Sequence, residues 1–563
     1  MGDIYQPLPR GDWIRVLEVH EVDSELFCNF KYICIDNCNV DYSAISYAWE
    51  DTTPVSSISF PDERSLPLSR TLVALFDSLR QGRTTFTVWI DALCINQIDP
   101  VEKAHQVSMM GRVYACAKQV LLWLGESDNR ARAAFRFMQL IREHGYTTDD
   151  EIKLLLRNSP RPKPLRAVLS LLARPWFRRV WVIQEITVNP EVTVACGVDQ
   201  VPFGYFRDSV FAIWKFHDMP IYDGPRLRGL WNATRVIQIR EKFLSEGPLP
   251  YEDLLETAYH VRATDDRDMV FSFWGIGDHR RPIPEPSYSI TVEDLYAQTA
   301  EALLCHGTSL DALALSGISM CRRPTSLPTW VLDPRNHSFS EPFVSCDNGG
   351  WDAGGHLQVP AQKCTSSQLQ LDVAFLGVVD EDCPVFQSWS VLNQQAALRS
   401  VLELRHRIPG TISYEQWLEV VWPSLILGLD IDDEPVGSEY REHFNEWLTC
   451  LLSSTSGDDI VQIQQNIYHR TMAPRVDDWK AFLTQKGTFC IGPPEVQVGD
   501  LLSQPYFNYA ILTGQEPDTL EKRADKSIDY VERVRQTWAT TSGEDLACGG
   551  DKSAYPVPRG GDI

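Results

Sequence analysis

Short apolar runs alternate with amphipathic helical patterns over roughly the first 200 residues, and this alternation constrains the fold more than any other feature of the chain. Three of the runs are predicted strands: Ala44–Trp49, Phe86–Ile90 and Val120–Leu124. Between them, apolar residues recur at intervals of three and four over about 68–79 and 100–117. Such alternation is typical of a parallel sheet with helices on both faces. The sequence therefore predicts an α/β domain with a parallel sheet.

Polar side chains follow apolar runs in two segments of this region, Val88–Gln97 and Arg174–Glu185. In the first segment, Asp91 comes directly after a predicted strand. Ligands of open α/β sheets bind beyond the carboxyl ends of the strands. These two segments are therefore the predicted location of a functional site.

A helix start is predicted just after the first segment. Asp99 has a side chain suited to an N-cap, and Pro100 suits the first helical position. Glu102 is placed to reach back to Asp99 in a capping box. The helix is expected to bury one face and to lead into the strand at Val120–Leu124.

The charge and hydropathy of the chain argue against some functions. The chain has 52 Lys and Arg residues against 76 Asp and Glu residues, which gives a net charge of −24. Such a charge repels nucleic acids and anionic membrane surfaces. The sequence has no run of about 18 apolar residues and no secretory signal at its start. We therefore predict a cytoplasmic protein without a membrane span and without a nucleic-acid partner.

The 14 cysteines are expected to be mostly reduced thiols in that compartment. Cys28, Cys34 and Cys38 form the closest group, but they lack the paired spacing of a zinc site. They are interpreted as small packing residues, and neither a metal ion nor a bound cofactor is predicted.

A length of 563 residues exceeds what one hydrophobic core usually organises, so several domains are expected. We predict a first domain at 1–205 with its core at about 41–200, a helical region at 206–308, a mixed α/β region at 309–515 and a disordered tail at 516–563. The first domain contains all of the candidate site residues.

Several short motifs of the first domain resemble one known family. They are, in order, Tyr47–Trp49, Trp89–Gln97, Gln106–Val107, Met110–Tyr114, Trp123–Gly125 and Arg174–Glu185. Together they resemble the heterokaryon incompatibility (HET) domain of filamentous fungi. Weaker motifs continue in the order usual for large HET proteins, at Ala263–Phe271, Leu327–Asp333, Gly492–Pro493 and Gly499–Asp500. Glu50 departs from the family pattern, which usually has glycine there, and its side chain is expected to alter the loop or close part of the cleft.

The resemblance implies a role in fungal non-self recognition, with regulated cell death when incompatible hyphae fuse and with an incompatibility partner protein as trigger. It also implies a TIR-like, flavodoxin-like parallel sheet, because HET domains resemble TIR domains. Some TIR domains cleave NAD with a glutamate four positions after a tryptophan, the spacing of Trp181 and Glu185. By this resemblance Glu185 is a catalytic residue, and NAD is a substrate rather than a cofactor.

Glu185 has two alternative roles. Residues four apart share one helix face, so the Trp181 ring and the Glu185 carboxylate are expected about one turn apart. Breaking the nicotinamide–ribose bond builds positive charge on the ribose, which a carboxylate in a partly apolar pocket stabilises. The structural alternative is that Glu185 pairs with an arginine such as Arg178 or Arg179 while Trp181 packs in the core.

The loop after the second predicted strand carries three further candidates. Asp91 either orients a ribose hydroxyl or Glu185 in catalysis, or caps the turn that follows it. Asn96 and Gln97 share this loop and are candidate ligand contacts, with a structural role in the loop as the alternative.

Three tryptophans complete the predicted site. Trp49, Trp89 and Trp181 are candidate substrate contacts, the first two as the floor of a nucleotide pocket. Aromatic side chains at strand ends also serve simply as core, so packing is the alternative for each.

Two alternatives to NAD cleavage follow from the same region. Cys94 and His105 are a candidate nucleophile and base, although the apolar run around Cys94 and the solvated face around His105 favour a buried thiol and a surface imidazole. Sequence motifs of NTPases, zinc proteases, α/β-hydrolases and Rossmann enzymes are missing. The non-enzymatic alternative is a module that signals by self-association.

Overall fold

The structure is a computed structural model of the chain. It describes residues 4–23, 25–37, 40–49, 52–81, 83–143, 163–214, 224–258, 261–307, 312–313, 316, 327–328, 330–335, 362–363, 369–387, 390–408, 410, 412–431, 435–454, 460–477, 479–492, 494, 496–503 and 533–538. The prediction for Glu50 and most of the predicted tail lie outside these residues. The chain separates into two compact units, Met1–Thr299 with Pro334–Phe339, and Ala300–Asp333 with Ser340–Ile563.

Among the described residues, the first unit is built on a sheet of nine strands. They are β1 (Trp13–Val22), β2 (Glu25–Cys34), β3 (Ser43–Tyr47), β4 (Pro54–Ser59), β5 (Ser65–Ser69), β6 (Thr85–Trp89), β7 (Gln119–Trp123), β8 (Val192–Cys196) and β9 (Asp199–Pro202). Their order across the sheet is β5-β4-β2-β1-β6-β3-β7-β8-β9. The predicted strands β3, β6 and β7 lie side by side in the middle.

The centre of this sheet is parallel, whereas its flanks contain antiparallel pairs and one parallel pair, between β2 and β4. Strands β6, β3, β7 and β8 are neighbours in that order and run parallel. If these four strands are numbered by their order along the chain, their order across the sheet is 2-1-3-4. The flavodoxin-like order begins in the same way. However, β1 is antiparallel to β6, and β9 is antiparallel to β8. The α/β class is confirmed, the parallel sheet is corrected to a mixed one, and a TIR-like fold stays a prediction.

Short connections explain two of the antiparallel pairs, β1 with β2 and β8 with β9. β1 ends at Val22 and β2 begins at Glu25, while β8 ends at Cys196 and β9 begins at Asp199. Two residues join only antiparallel neighbours, whereas a parallel neighbour needs a crossover of about a dozen residues or more. Gly197, with φ of +54°, supplies the left-handed backbone of the second turn.

Six helices accompany these strands in the described part of the chain up to residue 187. They are α1 (Arg70–Leu79), α2 (Asp91–Cys94), α3 (Pro100–Cys116), α4 (Asn129–Glu143), α5 (Lys163–Leu172) and α6 (Trp181–Thr187). α3 buries Val107, Met110 and Tyr114, the face that its sequence spacing predicts. A 3-10 helix at Pro175–Arg178 leads into α6.

The start of α3 confirms one prediction and corrects another. Asp99 accepts hydrogen bonds from the amides of Val101 and Glu102, at 2.9 and 3.1 Å, and is the N-cap. Glu102 does not close a capping box. Its carboxylate accepts instead from Arg15, at 2.9 Å from Nη2, and from the Asn96 amide at 2.8 Å. The Arg15 side chain is buried in β1, and a buried guanidinium needs a charged partner more than a helix end needs a second cap.

Five helices follow among the described residues of the region predicted to be helical. They are α7 (Phe203–Trp214), α8 (Gly224–Glu246), α9 (Tyr251–Ala258), α10 (Asp268–Phe271) and α11 (Val292–His306). α8 packs against α5 and α6, and the first unit continues to Thr299. The predicted boundary at residue 205 falls within α7.

The second unit combines antiparallel strands with helices. Its described strands are β10 (Gln362–Lys363), β11 (Leu369–Asp382), β12 (Lys480–Thr484), β13 (Phe489–Gly492), β14 (Leu501–Ser503) and β15 (Arg533–Trp538), and its main helices are α12 (Val391–Glu403), α13 (Tyr414–Leu425), α14 (Tyr440–Ser453), α15 (Ile460–Gln465) and α16 (Ile467–Val476). Trp417, Phe444 and Trp447 lie in its core. β15 lies within the predicted tail and pairs with β11. Over the described ranges, no helix combines the length and the apolar character needed to cross a membrane.

Candidate functional site

The two predicted polar segments meet at the carboxyl end of the central parallel strands. β3 ends at Tyr47 and β6 at Trp89, and Asp91 begins α2 directly after β6. Glu185 lies in α6, which packs against β3 and β7. The strand order reverses between β3 and β7, and ligands of open α/β sheets bind at such a reversal.

Glu185 is 1% exposed and is held by residues distant in sequence. The Ser46 hydroxyl donates a hydrogen bond to Glu185 Oε2 and accepts one from the Trp176 indole N–H at 2.8 Å. The other carboxylate oxygen, Oε1, has no hydrogen-bond partner. Nη1 of Arg179 lies 4.0 Å from it, within ion-pair range but beyond hydrogen-bonding distance. One oxygen of a buried carboxylate is therefore left unused.

These surroundings change the acidity of Glu185. Burial raises its pKa from 4.5 to about 7, because a low-dielectric environment penalises the charged form. The positive charge of Arg179 and the Ser46 hydrogen bond oppose this shift, while the negative charge of Asp91 adds to it. Glu185 is thus more readily protonated than an exposed glutamate, and shifted pKa values of this kind cluster at functional sites.

Asp91 is held mainly by its own loop. Its Oδ1 accepts hydrogen bonds from the Ala92 amide at 2.7 Å and from the Trp49 indole N–H at 3.2 Å. Burial raises its pKa, and the charge of Arg179 opposes that shift. The described hydrogen bonds of this carboxylate use one oxygen, so Asp91 bonds the backbone of its own turn and still has acceptor capacity.

Arg179 connects the two carboxylates. Its charge lowers the pKa of both Asp91 and Glu185, and its Nη1 also donates to the backbone oxygen of Tyr47 at the end of β3. The Arg179 side chain is 21% exposed, in contrast to the buried Glu185. Two carboxylates and one guanidinium thus form a small charged cluster with one edge near solvent.

Asn96 and Gln97 stabilise the loop between β6 and α3. The Gln97 side-chain amide donates to the backbone oxygen of Asp91 at 3.0 Å. The backbone amide of Asn96 donates to Glu102, while its buried side-chain oxygen has no hydrogen-bond partner. Asn96 therefore has a free acceptor, whereas Gln97 acts on the loop backbone.

The three candidate tryptophans occupy different surroundings. Trp49 is 39% exposed and bonded to Asp91. Trp89 is fully buried, with its ring 5.3 Å from that of Tyr114 in an edge-to-face arrangement. Trp181 is half-buried, and its indole N–H donates to Asp268 at 3.0 Å. Trp49 is thus beside Asp91 and open to solvent, whereas Trp89 lies in the core.

Sequence reasoning missed two residues of this cluster. Ser46 donates to the Glu185 carboxylate and Trp176 donates to Ser46, and neither residue was a candidate. Arg179 was named only as one ion-pair partner. Ser46 carries a weak signal, since it is a polar residue inside the otherwise apolar run Ala44–Tyr47. A hydroxyl in the middle of a buried parallel strand needs a buried partner.

The alternative pair of Cys94 and His105 has no support from its surroundings. Cys94 is buried, and burial raises the pKa of its thiol to about 12, which disfavours the thiolate. The described contacts of the exposed His105 ring are the Gly11 backbone oxygen at 3.4 Å and Asp12 at 3.8 Å. These residues therefore remain a buried thiol and a surface imidazole.

Other candidate ligand sites are few among the described residues. Within those ranges, no group of three His, Cys, Asp or Glu side chains is arranged to hold a metal ion. A pocket of about 310 Å³ is lined by residues of α3 and by Val188, Phe243 and Trp274. It contains none of the predicted site residues.

Comparisons with known proteins identify the region that holds the site. Residues 42–185 match the model of a family described as heterokaryon incompatibility protein (HET). The chain is also similar to "Heterokaryon incompatibility protein 6, OR allele" of Neurospora crassa, with 27% identity over 395 residues. This match covers 56% of the chain and 57% of the relative, so the chain spans little more than half of that protein. No solved structure matches. The family match ends at Glu185 and includes Ser46, Asp91 and Arg179.

Proposed function

We propose that this chain, which contains a HET domain at residues 42–185, acts in fungal heterokaryon incompatibility and triggers regulated cell death by cleaving the nicotinamide–ribose bond of NAD. The family match and the name of the Neurospora relative support the biological role. One observation carries the reaction: the carboxyl group of Glu185, buried at the carboxyl end of β3, has an oxygen atom without a hydrogen-bond partner.

The proposed reaction needs one ionised carboxylate. As the N-glycosidic bond breaks, its electron pair goes to the nicotinamide nitrogen, which loses its positive charge. Positive charge develops on the ribose at C1, and the Glu185 carboxylate stabilises it. Water then forms the new bond to C1 and releases a proton to solvent. The leaving group departs neutral, so no general acid is required.

The neighbours of Glu185 have supporting roles in this proposal. Arg179 favours the ionised form of Glu185, because its positive charge lowers the pKa of that carboxyl group. Asp91 and Asn96 offer acceptor oxygens that suit ribose hydroxyl groups. Trp49, which is exposed beside Asp91, offers an aromatic face for a base or for nicotinamide.

Cleavage requires an open form of the site, because Glu185 is 1% exposed. The partly exposed Arg179 is the charged neighbour of Glu185 nearest to solvent, so we place the opening at its side chain. A closed form suits a protein whose activity kills its own cell and is held back until a non-self signal arrives.

The test measures nicotinamide release from NAD by the purified full-length chain and by its Glu185→Gln variant. Glutamine keeps the size of the side chain but cannot carry the charge, so release should fall by about a hundredfold or more. The control is Glu252→Gln, which alters a buried carboxylate in α9 that pairs with Arg281 away from α6. Equal release by the wild type and the Glu185 variant would contradict the proposal. So would a wild-type chain that kills cells without cleaving NAD.

A second candidate function, signalling by self-association, is favoured by exposed apolar side chains near the same loop. Ile98 and Val101 are 90% and 78% exposed, and Ile98 directly follows Gln97. Exposed apolar side chains mark a protein interaction surface where they form a contiguous patch. In this case the Asp91 loop would present a contact surface rather than a substrate pocket.

Light scattering and cell killing separate the two candidates. If self-association is the mechanism, Ile98→Asp should make the chain monomeric and harmless, while Glu185→Gln should leave killing intact. Val22→Asp is the matched control, because Val22 is 52% exposed but lies in the β1–β2 hairpin. A monomeric wild-type chain at working concentration would contradict this candidate.

A further inference from the structure

The segment that carries Glu185 is held from outside the matched family region. Its sheet side contacts Ser46, as described above. On another side, residues between 232 and 275 form hydrogen bonds with the segment 177–189. These bonds run from Asn232 Nδ2 to Phe177 O (2.8 Å), Arg262 N to Arg178 O (2.6 Å), Val180 N to Arg262 O (3.0 Å), Trp181 Nε1 to Asp268 Oδ2 (3.0 Å), Gly275 N to Gln184 Oε1 (2.6 Å) and Arg240 Nη1 to Asn189 O (2.5 Å).

Asp268 differs from the other partners because it holds the first residue of α6 through a charged group. Its Oδ2 accepts from the Trp181 indole and its Oδ1 from the Tyr288 hydroxyl, at 3.0 and 2.7 Å. No side chain caps the start of α6, where Val180 is the N-cap residue. The N-terminus of α6 is therefore not held by a capping side chain of its own. Glu185 lies one turn after this end.

Tyr288, the second donor to Asp268, is itself fixed. Arg267 donates from Nη1 to the Tyr288 backbone oxygen at 2.6 Å, and its guanidinium lies 5.2 Å from the centre of the Tyr288 ring. Arg267 is in turn paired with Asp265 at 2.7 Å. The ammonium of Lys103, in α3, lies 4.5 Å from the same ring centre. Tyr288 thus joins α3, which follows the Asp91 loop, to the group that holds α6.

We propose that Asp268 is a positioning residue for Glu185. Asp268, Trp181 and Tyr288, here called the clasp, fix the first turn of α6 and thereby the burial and direction of the Glu185 carboxylate. Two of the three clasp residues, Asp268 and Tyr288, lie beyond the matched family region. The effect of the clasp on catalysis rests on the proposed function. Its effect on the burial and direction of the Glu185 carboxyl group does not.

The test compares Asp268→Asn, Tyr288→Phe and Tyr296→Phe in the full-length chain. Asparagine replaces one acceptor of the clasp with a donor, and phenylalanine at 288 removes one hydroxyl. Tyr296→Phe is the matched control, because its hydroxyl donates to the Asp266 backbone oxygen at 2.7 Å, close to the clasp but not to Asp268. Two measurements are made: infrared titration of the Glu185 carboxyl band, identified by its loss in Glu185→Gln, and kcat and KM for NAD.

A looser first turn admits water to Glu185, so its pKa should fall from about 7 by about one unit in the two clasp variants. kcat should fall by on the order of 10- to 100-fold, while KM stays within about twofold, because the reacting groups are misplaced rather than removed. Tyr296→Phe should match the wild type in both measurements.

The outcomes separate the two proposals. If the clasp variants titrate as the wild type does, Asp268 does not position Glu185 and this inference is overturned. If the wild type does not cleave NAD but the carboxyl band shifts in the clasp variants, the positioning role holds and the proposed function fails. Should Asp268→Asn not fold, Tyr288→Phe decides, since it removes a single oxygen atom.

Discussion

The Asp91 loop and the Glu185 helix occupy the same end of the sheet, yet the hydrogen-bond partners of their carboxylates differ. The carboxylate of Asp91 accepts a hydrogen bond from the amide of the next residue, Ala92. The backbone oxygen of Asp91 accepts one from the side chain of Gln97, six positions further along the chain. Trp49 adds a longer bond of 3.2 Å. Aspartate side chains often bond backbone amides close to them in the chain, so these local partners give Asp91 a structural role in its loop.

Glu185, in contrast, depends on partners distant in sequence and remains incompletely paired. The Ser46 hydroxyl that bonds it is 139 residues away, and its second oxygen has only Arg179 at 4.0 Å. A buried polar atom without a hydrogen bond costs free energy, and native proteins contain few of them. The difference indicates that Asp91 is held by its own loop, whereas Glu185 is held by residues from elsewhere in the fold.

The largest expected effect is a pH-dependent difference between the wild type and Glu185→Gln. The pKa of Glu185 is raised from 4.5 to about 7, so its contribution to stability is present below pH 4.5 and is lost as pH rises through 7. That shift corresponds to about 3 kcal/mol. Urea unfolding of both proteins should show the wild-type advantage shrinking by this amount between pH 4.5 and 8. If the unfolding free energies of the wild type and Glu185→Gln changed with pH in the same way, the contrast between Glu185 and Asp91 would not hold.

Arg179→Met tests the connection between the two carboxylates. Without the guanidinium, the pKa of Glu185 should rise further, and two buried carboxyl groups lose their cation. We expect a cost of about 2 kcal/mol at pH 8 and less at pH 5, reduced from the value for fully buried pairs because Arg179 is partly exposed. The measurement is the denaturant midpoint of unfolding for the wild type and the variant at both pH values. Arg112→Met, which breaks surface ion pairs with Asp12 and Asp36, is the control. A loss at pH 5 equal to that at pH 8 would show that charge is not the cause.

Ser46→Ala tests the distant partner of Glu185. The change removes the donor to the carboxylate and leaves the Trp176 indole without its acceptor, at a cost of about 1 to 2 kcal/mol. It should also raise the pKa of Glu185, because the hydrogen bond favours the ionised form. Ser209→Ala is a matched buried control, because the described hydrogen bond of its hydroxyl is to its own helix, at 2.9 Å from Tyr205 O. Similar losses of unfolding free energy in both variants would contradict a special role for Ser46.

The smallest effect is expected at Asp91. Asp91→Ala removes the hydrogen bonds from the Ala92 amide and the Trp49 indole and should cost about 1 kcal/mol, whereas Asp91→Asn keeps an acceptor oxygen and should cost clearly less. Thermal unfolding of the two variants measures the difference. If the asparagine variant were the less stable one, the charge of Asp91 rather than its hydrogen bonds would matter, and the contrast with Glu185 would weaken.

Much of the central fold could be predicted from the sequence. The strands that end at Tyr47, Trp89 and Trp123 are continuous apolar runs, and α3 has helical spacing with Asp99 as its cap. Each of these signals depends on neighbours in the chain. The motifs near them predicted a HET domain, which the family match confirms. The β1–β2 hairpin lacked such a signal, and it changes the sheet from parallel to mixed.

The candidate site was only partly predictable. The sequence singled out the segments of Asp91 and Glu185, which the structure brings to the same end of the sheet, and it offered pairing with Arg179 as one role of Glu185. It did not indicate Ser46 or Trp176, since a serine in an apolar run and a tryptophan after a proline have many uses. Asp268 lay in a recognised motif, but nothing local linked it to Trp181, 87 positions earlier.

The sequence by itself determined the α/β class, the central strands, the cap of α3 and the two polar segments, because spacing, capping and short motifs act between residues close along the chain. Only the tertiary structure decided that Glu185 is buried, that Ser46 bonds it and that the clasp holds its helix. Burial and long-range hydrogen bonds depend on which surfaces pack together. They also set the pKa of Glu185, since the low-dielectric interior raises it and the Arg179 charge opposes the rise.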